Sequence, residues 1–367
     1  MNRYVIQYYS KTLVALASRD KQQTFPLPGW MFNYPSLPNY ELTIALSDRT
    51  KKTDDVHLHT GLNIVADIKA DSEEDARETS KNFVETLLNL VSFSTLTYCD
   101  SAKLVSIINM GKESHPFRYY VYPFEEQEII GALIQIDESA FKAIFEAYNK
   151  CSSKPRTLRA LTWLRKGIGE ENVVDEFVSY WIGLEVVKHI LSPEKVKTEE
   201  EWEKVEEIFT KSLHFQNFKI IKKDGRHGLL HGFRQLDSNF IKEIEDYVEP
   251  IRKTLILCIG RILRLEDSDI LTIANKTPRG IKQNPWTVVE GVLKNIPKDF
   301  AELAKNYPMI DCEKINKKFS IDKEGELSIT FPITYRFHGP SDAKWEVKAT
   351  ELWGDKDTGI KSMDFKG

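Results

Sequence analysis

The sequence predicts an α+β N-terminal domain, then an all-α helical bundle, then a short β C-terminal region. Three changes in the spacing of apolar residues predict this order. The first part of the chain alternates polar and apolar residues as strands do. Residues 138–265 carry apolar side chains three or four positions apart, as helices do, and residues 319–352 alternate again. We therefore expect domains over 1–135 and 136–267, and a linker and β region over 268–367.

The N-terminal domain is predicted to hold one long helix on a sheet. The strand patterns lie over 4–17, 41–46, 57–70, 103–110 and 117–123. A proline-rich loop separates the first two strands, because each proline removes a hydrogen-bond donor that a sheet needs. The helix is predicted from Ser72 to about Thr95, since Ser72 is a favourable N-cap and three acidic residues follow it.

The central domain is predicted to be an antiparallel helical bundle, because short links join segments with the helical period. The predicted helices cover 139–150, 157–166, 173–191, 199–213 and 238–265. Beyond residue 268, glycine and proline mark a connecting region, and a short helix is predicted over Val288–Leu303. Leu327, Ile329 and Phe331 begin the alternating pattern of the β tail.

Composition excludes several classes of protein. The 367 residues include 51 basic and 55 acidic side chains, and 41% are hydrophobic, which is typical of a globular chain and not of a disordered one. The long uncharged apolar stretch of a membrane helix is missing from the sequence, and no signal peptide is visible. Four widely spaced cysteines favour packing roles in a reducing, cytoplasmic setting. The near-neutral charge argues against a general nucleic-acid coat but allows a local basic site.

The segment Lys219–Arg234 concentrates the chemistry of the chain. It contains five lysines or arginines, two histidines and one aspartate. Arg226 offers a planar fork that can hold a phosphate in two places, and His231 can transfer protons near neutral pH. Three further cations of the segment are candidate RNA contacts: Lys222, Lys223 and Arg234.

An arginine and a histidine beside a phosphodiester suffice to cut RNA, because RNA supplies its own 2′-hydroxyl nucleophile. The histidine moves a proton, and the arginine stabilises the charge that develops on the phosphorus oxygens. This chemistry leaves a 2′,3′-cyclic phosphate and a 5′-hydroxyl, and we expect no cofactor and no metal.

The spacing Arg226-x4-His231, with the polar His227 directly after the arginine and Gly232 after the second histidine, resembles the ribonuclease motif of the HEPN superfamily. The stretches Leu158–Gly167 and Phe177–Glu185 are similar to the ApeA-like HEPN subfamily, so the resemblance covers residues 138–266. Residues 73–93 are also similar to the α+β domain that often precedes such domains.

The resemblance implies an all-helical domain that dimerises, so that the motifs of two copies form one RNA-cutting cleft. It implies work in prokaryotic toxin, stress or antiviral defence systems, with RNA as the partner. Arg226 would then be the phosphate ligand, His231 the acid or base, and His227 the polar neighbour that orients or assists. Glu185 would support the site by holding an arginine or a histidine. From the arrangement of the domains alone, and not from the resemblance, we expect the N-terminal domain to sense a trigger molecule or to restrain the nuclease.

Other interpretations remain open at this stage. A non-catalytic module would use the same helices for dimerisation or for nucleotide or RNA binding, with Arg226 and His231 holding structure or ligand. His227 and His231 have a metal-ligand spacing, but no third ligand follows nearby. On a straight α-helix Arg226 and His231 would lie about 140° apart, not on one face. His57 and His59 are expected to be an ordinary surface pair.

Overall fold

The structure is a computed structural model that describes residues 1–16, 30–33, 41–53, 56–110, 117–120, 133–192, 200–230 and 234–280, together with the backbone of six strands between 286 and 353. The chain divides into two compact units. The first contains residues 1–51 and 57–282, and the second contains residues 52–56 and 283–367. The predicted boundary near residue 135 falls within the first unit.

The first unit begins with a six-stranded antiparallel sheet, in the order β3-β4-β5-β1-β6-β7. Along β1 the side chains of Tyr4, Ile6 and Tyr8 are buried, while those between them are partly exposed. Val14 of β2 pairs in parallel with Ile134 of β8 outside this sheet. The strands are β1 (Asn2–Ser10), β2 (Val14–Ala15), β3 (Trp30–Asn33), β4 (Leu42–Thr53), β5 (Val56–Ala70), β6 (Lys103–Asn109), β7 (Phe117–Tyr119) and β8 (Ile134–Gln135).

Helix α1 (Glu73–Thr95) packs on this sheet. The side chain of Ser72 caps it by accepting a hydrogen bond from the backbone N–H of Asp75 at 3.1 Å, as the sequence predicts. Tyr8 of the sheet and Ser80 of the helix share a buried 2.8 Å hydrogen bond between their hydroxyls. The prediction of an N-terminal sheet with one long helix is confirmed.

A helical region follows, which also agrees with the sequence. Its long helices are α2 (Glu138–Lys150), α3 (Lys154–Gly169), α4 (Val173–Leu191) and α8 (Ser238–Ile262). Its short ones are a 3-10 turn (Glu200–Trp202), α5 (Glu203–Glu207), a π-helical stretch (Ile208–Ser212), α6 (Phe218–Ile220), a second π-helical stretch (Ile221–His227), α7 (Gly228–Leu230) and α9 (Asp267–Ala274). Among the described residues, no helix is long and apolar enough to span a bilayer.

Helices α3, α4 and α8 pack closely because glycines stand at the contacts. A Cβ atom at Gly167 of α3 would lie 2.3 Å from the ring of Tyr180 on α4. A Cβ atom at Gly183 of α4 would lie 2.6 Å from Leu255 of α8. Real Cβ contacts are longer than this, so the approach of these helices depends on glycine.

Three elements differ from the sequence predictions. Strand β3 lies where only a loop was expected, and pairs with β4 from Trp30↔Leu46 to Asn33↔Thr43. Helix α9 lies in the predicted linker. The helix predicted over Val288–Leu303 is wrong at its start, where strand β9 (Trp286–Lys294) runs instead. Three valines in that strand favour extended backbone, because side chains branched at Cβ lose freedom in a helix.

The part of the second unit that the structure describes contains three antiparallel strand pairs. Trp286 pairs with Trp353 at one end of the first pair, and Lys294 pairs with Lys344 at the other end. The remaining strands are β10 (Met309–Ile315), β11 (Lys318–Ile321), β12 (Leu327–Thr330), β13 (Ile333–His338) and β14 (Lys344–Trp353), with β9 paired to β14, β10 to β13 and β11 to β12.

Candidate functional site

The basic segment lies largely in one helical run, formed by α6, the second π-helical stretch and α7. Asn217 precedes the run with a φ of 71°, a left-handed conformation that asparagine tolerates better than most residues. Its carbonyl accepts a hydrogen bond from the N–H of Ile221 at 3.0 Å. Phe218 and Ile221 are buried, whereas Lys219 and Lys223 are exposed. The run is therefore anchored on one side and presents its cations on the other.

Arg226 stands in the π-helical stretch Ile221–His227. In such a stretch each N–H bonds the carbonyl five residues earlier, so one turn holds more residues than in an α-helix. The separation of about 140° for positions five apart on a straight α-helix therefore does not apply within this stretch. Single π-helical turns are rare and occur often at functional sites. His231 lies outside the described residues.

Two glycines let this stretch approach the long helices. A Cβ atom at Gly225 would lie 2.9 Å from Cζ of Phe177 on α4. A Cβ atom at Gly228 would lie 2.8 Å from Cζ of Phe240 on α8. Because Phe177 and Phe240 are almost fully buried, neither ring has free space into which to move. The glycines of the motif thus have a packing role that positions Arg226.

Arg226 is joined to Glu185 of α4. Its Nε donates a hydrogen bond to Oε1 of Glu185 at 2.6 Å. The same oxygen accepts a hydrogen bond from Nε1 of Trp181 at 3.2 Å. Trp181 is fully buried, so its indole fixes the carboxylate and the carboxylate fixes the guanidinium. The structure thus brings together two of the residues that the sequence selects, 41 positions apart.

The guanidinium of Arg226 is held but not enclosed. The side chain of Arg226 is 26% exposed, and that of Glu185 is 30% exposed. Within the described part of the chain, no residue accepts a hydrogen bond from the two terminal nitrogens of Arg226. An arginine fixed through Nε keeps its terminal N–H groups for a second anion that presents two oxygens side by side, as phosphate does.

The candidate contact residues Lys222 and Lys223 differ in their surroundings. Nζ of Lys222 lies 5.4 Å from the ring centroid of Trp202, a cation–π distance. Lys223 is exposed. The backbone of His227 belongs to the π-helical stretch, and its side chain lies outside the described part of the structure.

Arg234 is engaged with α8. Its Nη1 and Nη2 donate hydrogen bonds to the two carboxylate oxygens of Glu243 at 2.6 and 3.1 Å. Its guanidinium also lies 4.0 Å from the ring centroid of Phe240. The hydrogen bond raises the pKa of Arg234 and lowers the pKa of Glu243. Unlike Arg226, this arginine already has a carboxylate on its terminal nitrogens.

Sequence reasoning missed the polar group beyond Glu185. Lys188 and His189 lie one turn further along α4, and both contact Glu201: Nζ of Lys188 is 3.3 Å from Oε2, and Nδ1 of His189 is 3.2 Å from Oε1. Lys188 also lies 4.9 Å from the ring centroid of Trp202. The spacing of four between Glu185 and His189 was the signal available in the sequence, since such residues share a helix face.

Three side chains elsewhere bear on the histidine and cysteine predictions. His59 is not a surface residue, because its side chain is 7% exposed and its Nδ1 lies 3.9 Å from Oδ1 of Asp48. Burial raises the pKa of the Cys258 thiol to about 12, and it also raises that of Cys99. Within the described ranges, no group of three or more histidine, cysteine, aspartate or glutamate side chains is placed to hold a metal ion.

Compared with family models, with curated proteins and with solved structures, the chain matches none of them. The geometry of the site therefore defines its class. It is an arginine that a carboxylate positions, and it lies at the surface of a helical region within a cluster of cations.

Proposed function

We propose that the chain is a metal-independent endoribonuclease of the HEPN type. The setting of Arg226 supports this most. Glu185 holds its Nε, Trp181 holds Glu185, and the terminal nitrogens of the guanidinium have no acceptor among the described residues. This arrangement suits a side chain that binds the phosphate of a substrate, because the fork is oriented in advance.

In this proposal the substrate is RNA, and the 2′-oxygen attacks the adjacent phosphorus. Arg226 stabilises the negative charge that builds up on the phosphorus oxygens. His231 transfers a proton, and His227 orients or assists. The bond to the 5′-oxygen breaks, and the products carry a 2′,3′-cyclic phosphate and a 5′-hydroxyl. Lys222 and Lys223 attract the RNA backbone.

The finer predictions from the sequence belong to this proposal. The helical region is a HEPN-like bundle, and two copies of the chain form the cleft in the cytoplasm of a prokaryote. The role is antiviral defence or a stress response, and the N-terminal sheet and helix sense a trigger molecule. Support for the sensing role comes from the arrangement of the domains alone, and support for the other statements comes from the resemblance at Arg226-x4-His231 and in the helices before it.

The test is cleavage of RNA by the purified full chain in the presence of EDTA. Arg226→Ala should reduce the rate by about 10²–10³-fold, the usual effect of losing one group that stabilises transition-state charge. His231→Ala should reduce it by about 10²–10⁴-fold. Arg159→Ala is the matched control, because Arg159 is an exposed arginine on α3. Mass spectrometry of the fragments should find the cyclic phosphate.

Two results would contradict the proposal. Loss of cleavage in EDTA would indicate a metal enzyme. Failure of the wild-type chain to cut any RNA, with RNA or nucleotide binding that depends on Arg226, would indicate the non-catalytic module. In that module Arg226 and His231 hold structure or ligand without turnover.

A further inference from the structure

His189 is a further imidazole near Arg226, besides those of His227 and His231, and the resemblance assigns it no role. It lies four residues after Glu185 on α4, so the two side chains share a face with Cβ atoms about 6 Å apart. The side chain of His189 is 47% exposed. The guanidinium of Arg226 is bonded to Glu185 at 2.6 Å. We therefore expect Arg226 and His189 to meet the solvent on the same side of α4, within reach of one phosphodiester.

Glu201 determines which nitrogen of His189 is available. Oε1 of Glu201 lies 3.2 Å from Nδ1 of His189, while Oε2 lies 3.3 Å from Nζ of Lys188. Burial acts to raise the pKa of Glu201, but the hydrogen bonds and charges of Lys188 and His189 outweigh it and lower the pKa. A carboxylate accepts hydrogen bonds, so the proton of the neutral imidazole belongs on Nδ1. No described residue bonds Nε2 of His189, so its lone pair can accept a proton.

The carboxylate of Glu201 is itself firmly placed. Lys188 is largely buried and lies over Trp202, whose ring stacks on Trp181 with centroids 5.2 Å apart. Trp181 also donates to Glu185. One buried aromatic stack thus supports both carboxylates, one orienting the guanidinium of Arg226 and the other orienting the imidazole of His189. A capping pair at the end of α4 would need no such support.

We propose that His189 is a catalytic base of this site and that Glu201 is its positioning residue. The inference rests on the proposed ribonuclease function and adds a third imidazole to those of His231 and His227. Nε2 of His189 takes the proton of the 2′-hydroxyl while O2′ bonds to phosphorus. The phosphorus–O5′ bond breaks with its electron pair on O5′, which receives a proton from protonated His231 or from solvent. Glu201 stabilises the imidazolium that forms, as the acid of a catalytic triad does.

The test separates a base from an acid by means of the leaving group. The wild-type chain first identifies a cleavage site, and the same RNA is then made with sulfur in place of the bridging 5′-oxygen at that site. A sulfur leaving group needs no proton, so losing an acid costs little on this substrate. His189→Ala should therefore cut both RNAs about 10²–10⁴-fold more slowly. His231→Ala should cut normal RNA slowly but should cut the sulfur-containing RNA at close to the wild-type rate.

Further variants distinguish catalysis from structure. Added imidazole should restore part of the activity of His189→Ala, which it cannot do if His189 only stabilises the fold. Glu201→Gln should lower the rate by about 10-fold or more, since an amide no longer favours the imidazolium. His214→Asn is the control, because His214 is exposed on a loop and asparagine tolerates its φ of 56°. Circular dichroism verifies that each variant is folded.

Each outcome decides the proposal. Two results would overturn the role of His189 as the base while leaving the proposed ribonuclease function intact. One is cleavage by His189→Ala at the wild-type rate, and the other is a cleavage rate of His189→Ala that recovers on the sulfur substrate. Failure of the wild-type chain to cut RNA would overturn the proposed function, and NMR would then decide whether His189 is part of the site. Titration with uridine 3′-monophosphate should shift the NMR signal of Nε2 of His189 in the wild type. It should not shift that signal in Arg226→Ala. An unchanged signal in the wild type would remove His189 from the site.

Discussion

Glu185 on α4 and Arg226 in the π-helical stretch are joined by a 2.6 Å hydrogen bond from Nε to Oε1. The carboxylate orients the arginine, so we expect Glu185→Gln to misplace the guanidinium. A displacement of about 1 Å can lower a rate by about 100-fold, and we predict a loss of that order in RNA cleavage. Because both side chains are partly exposed, the free energy of unfolding should fall by only about 1 kcal/mol.

Kinetics and urea unfolding of the same preparation measure both effects. Asp175→Asn is the control, because Asp175 is an exposed carboxylate on the same helix. It should change neither the cleavage rate nor the free energy of unfolding by much. A Glu185→Gln protein that unfolds several kcal/mol more easily, yet cuts RNA normally, would indicate that the pair serves only the fold.

The close approach at Gly225 yields a second prediction. Alanine usually stabilises a helix by about 1 kcal/mol relative to glycine, but here its Cβ would lie 2.9 Å from Cζ of Phe177. We expect the strain to exceed that gain, so Gly225→Ala should destabilise the protein by about 1–3 kcal/mol. It should also weaken cleavage, because Arg226 is the next residue.

Thermal unfolding and cleavage rates of Gly225→Ala provide the measurement. Lys223→Ala is the comparison for thermal unfolding only, since its side chain is exposed in the same π-helical stretch. An increase in melting temperature for Gly225→Ala would mean that the stretch can move away from α4 at no cost.

The fold was predictable from the sequence where the signals lie within a few neighbouring residues. Ser72 and the acids after it mark the start of α1, and α4 has the predicted bounds Val173–Leu191. These signals depend only on neighbouring residues. Strand β3 was missed because it is a short edge strand, and its pairing with β4 is a tertiary contact. A helix was predicted at the start of β9 because the spacing of its apolar residues suits both the helical period and the alternation of a strand.

The site was predictable only in part, for a related reason. The resemblance selected Arg226 and Glu185, but nothing in the spacing of the chain shows that they touch. The π-helical stretch depends on the fit of Gly225 and Gly228 against two aromatic rings, which no local pattern encodes. His189 and Glu201 belong to different elements, α4 and the 3-10 turn, so neither residue alone has a signature.

An ion pair between the buried Arg165 and the partly exposed Glu85, whose side chain is 26% exposed, connects the N-terminal helix to the helical region. Nη2 of Arg165 on α3 donates to Oε2 of Glu85 on α1 at 2.6 Å, and the Arg165 side chain is only 8% exposed. The other oxygen, Oε1, accepts from the N–H of Ala102 at 2.7 Å. Removing the carboxylate charge leaves a guanidinium buried without its partner. Glu85→Gln should therefore lower the free energy of unfolding by about 3 kcal/mol.

Urea unfolding measures this loss. Glu74→Gln is the matched control, because Glu74 pairs with Arg77 at an exposed position and such pairs contribute about 0.5 kcal/mol. Replacing both Glu85 and Arg165 with methionine should recover most of the stability, since no unpaired charge then remains. Equal effects of Glu85→Gln and Glu74→Gln would show that the pair of Glu85 and Arg165 is solvated.

Buried tyrosines should make the fold sensitive to alkali. Burial raises the pKa of Tyr8 and Tyr148 to about 12, and burial raises the pKa of Tyr180 well above 10. Above about pH 10 the unfolded chain loses tyrosine protons that the folded chain keeps. The unfolded state then binds fewer protons, so the free energy of unfolding falls as the pH rises. Below that pH the contribution of these tyrosines is constant.

Each such tyrosine should reduce the free energy of unfolding by about 1.4 kcal/mol per pH unit over this window. Urea unfolding, followed by circular dichroism from about pH 9 to about pH 12, measures the slope. Tyr148→Phe removes one of the groups, so its slope should be shallower by that amount, while stability near neutral pH changes less. An identical slope in the wild type and in Tyr148→Phe would mean that Tyr148 titrates in the folded chain as it does in the unfolded one.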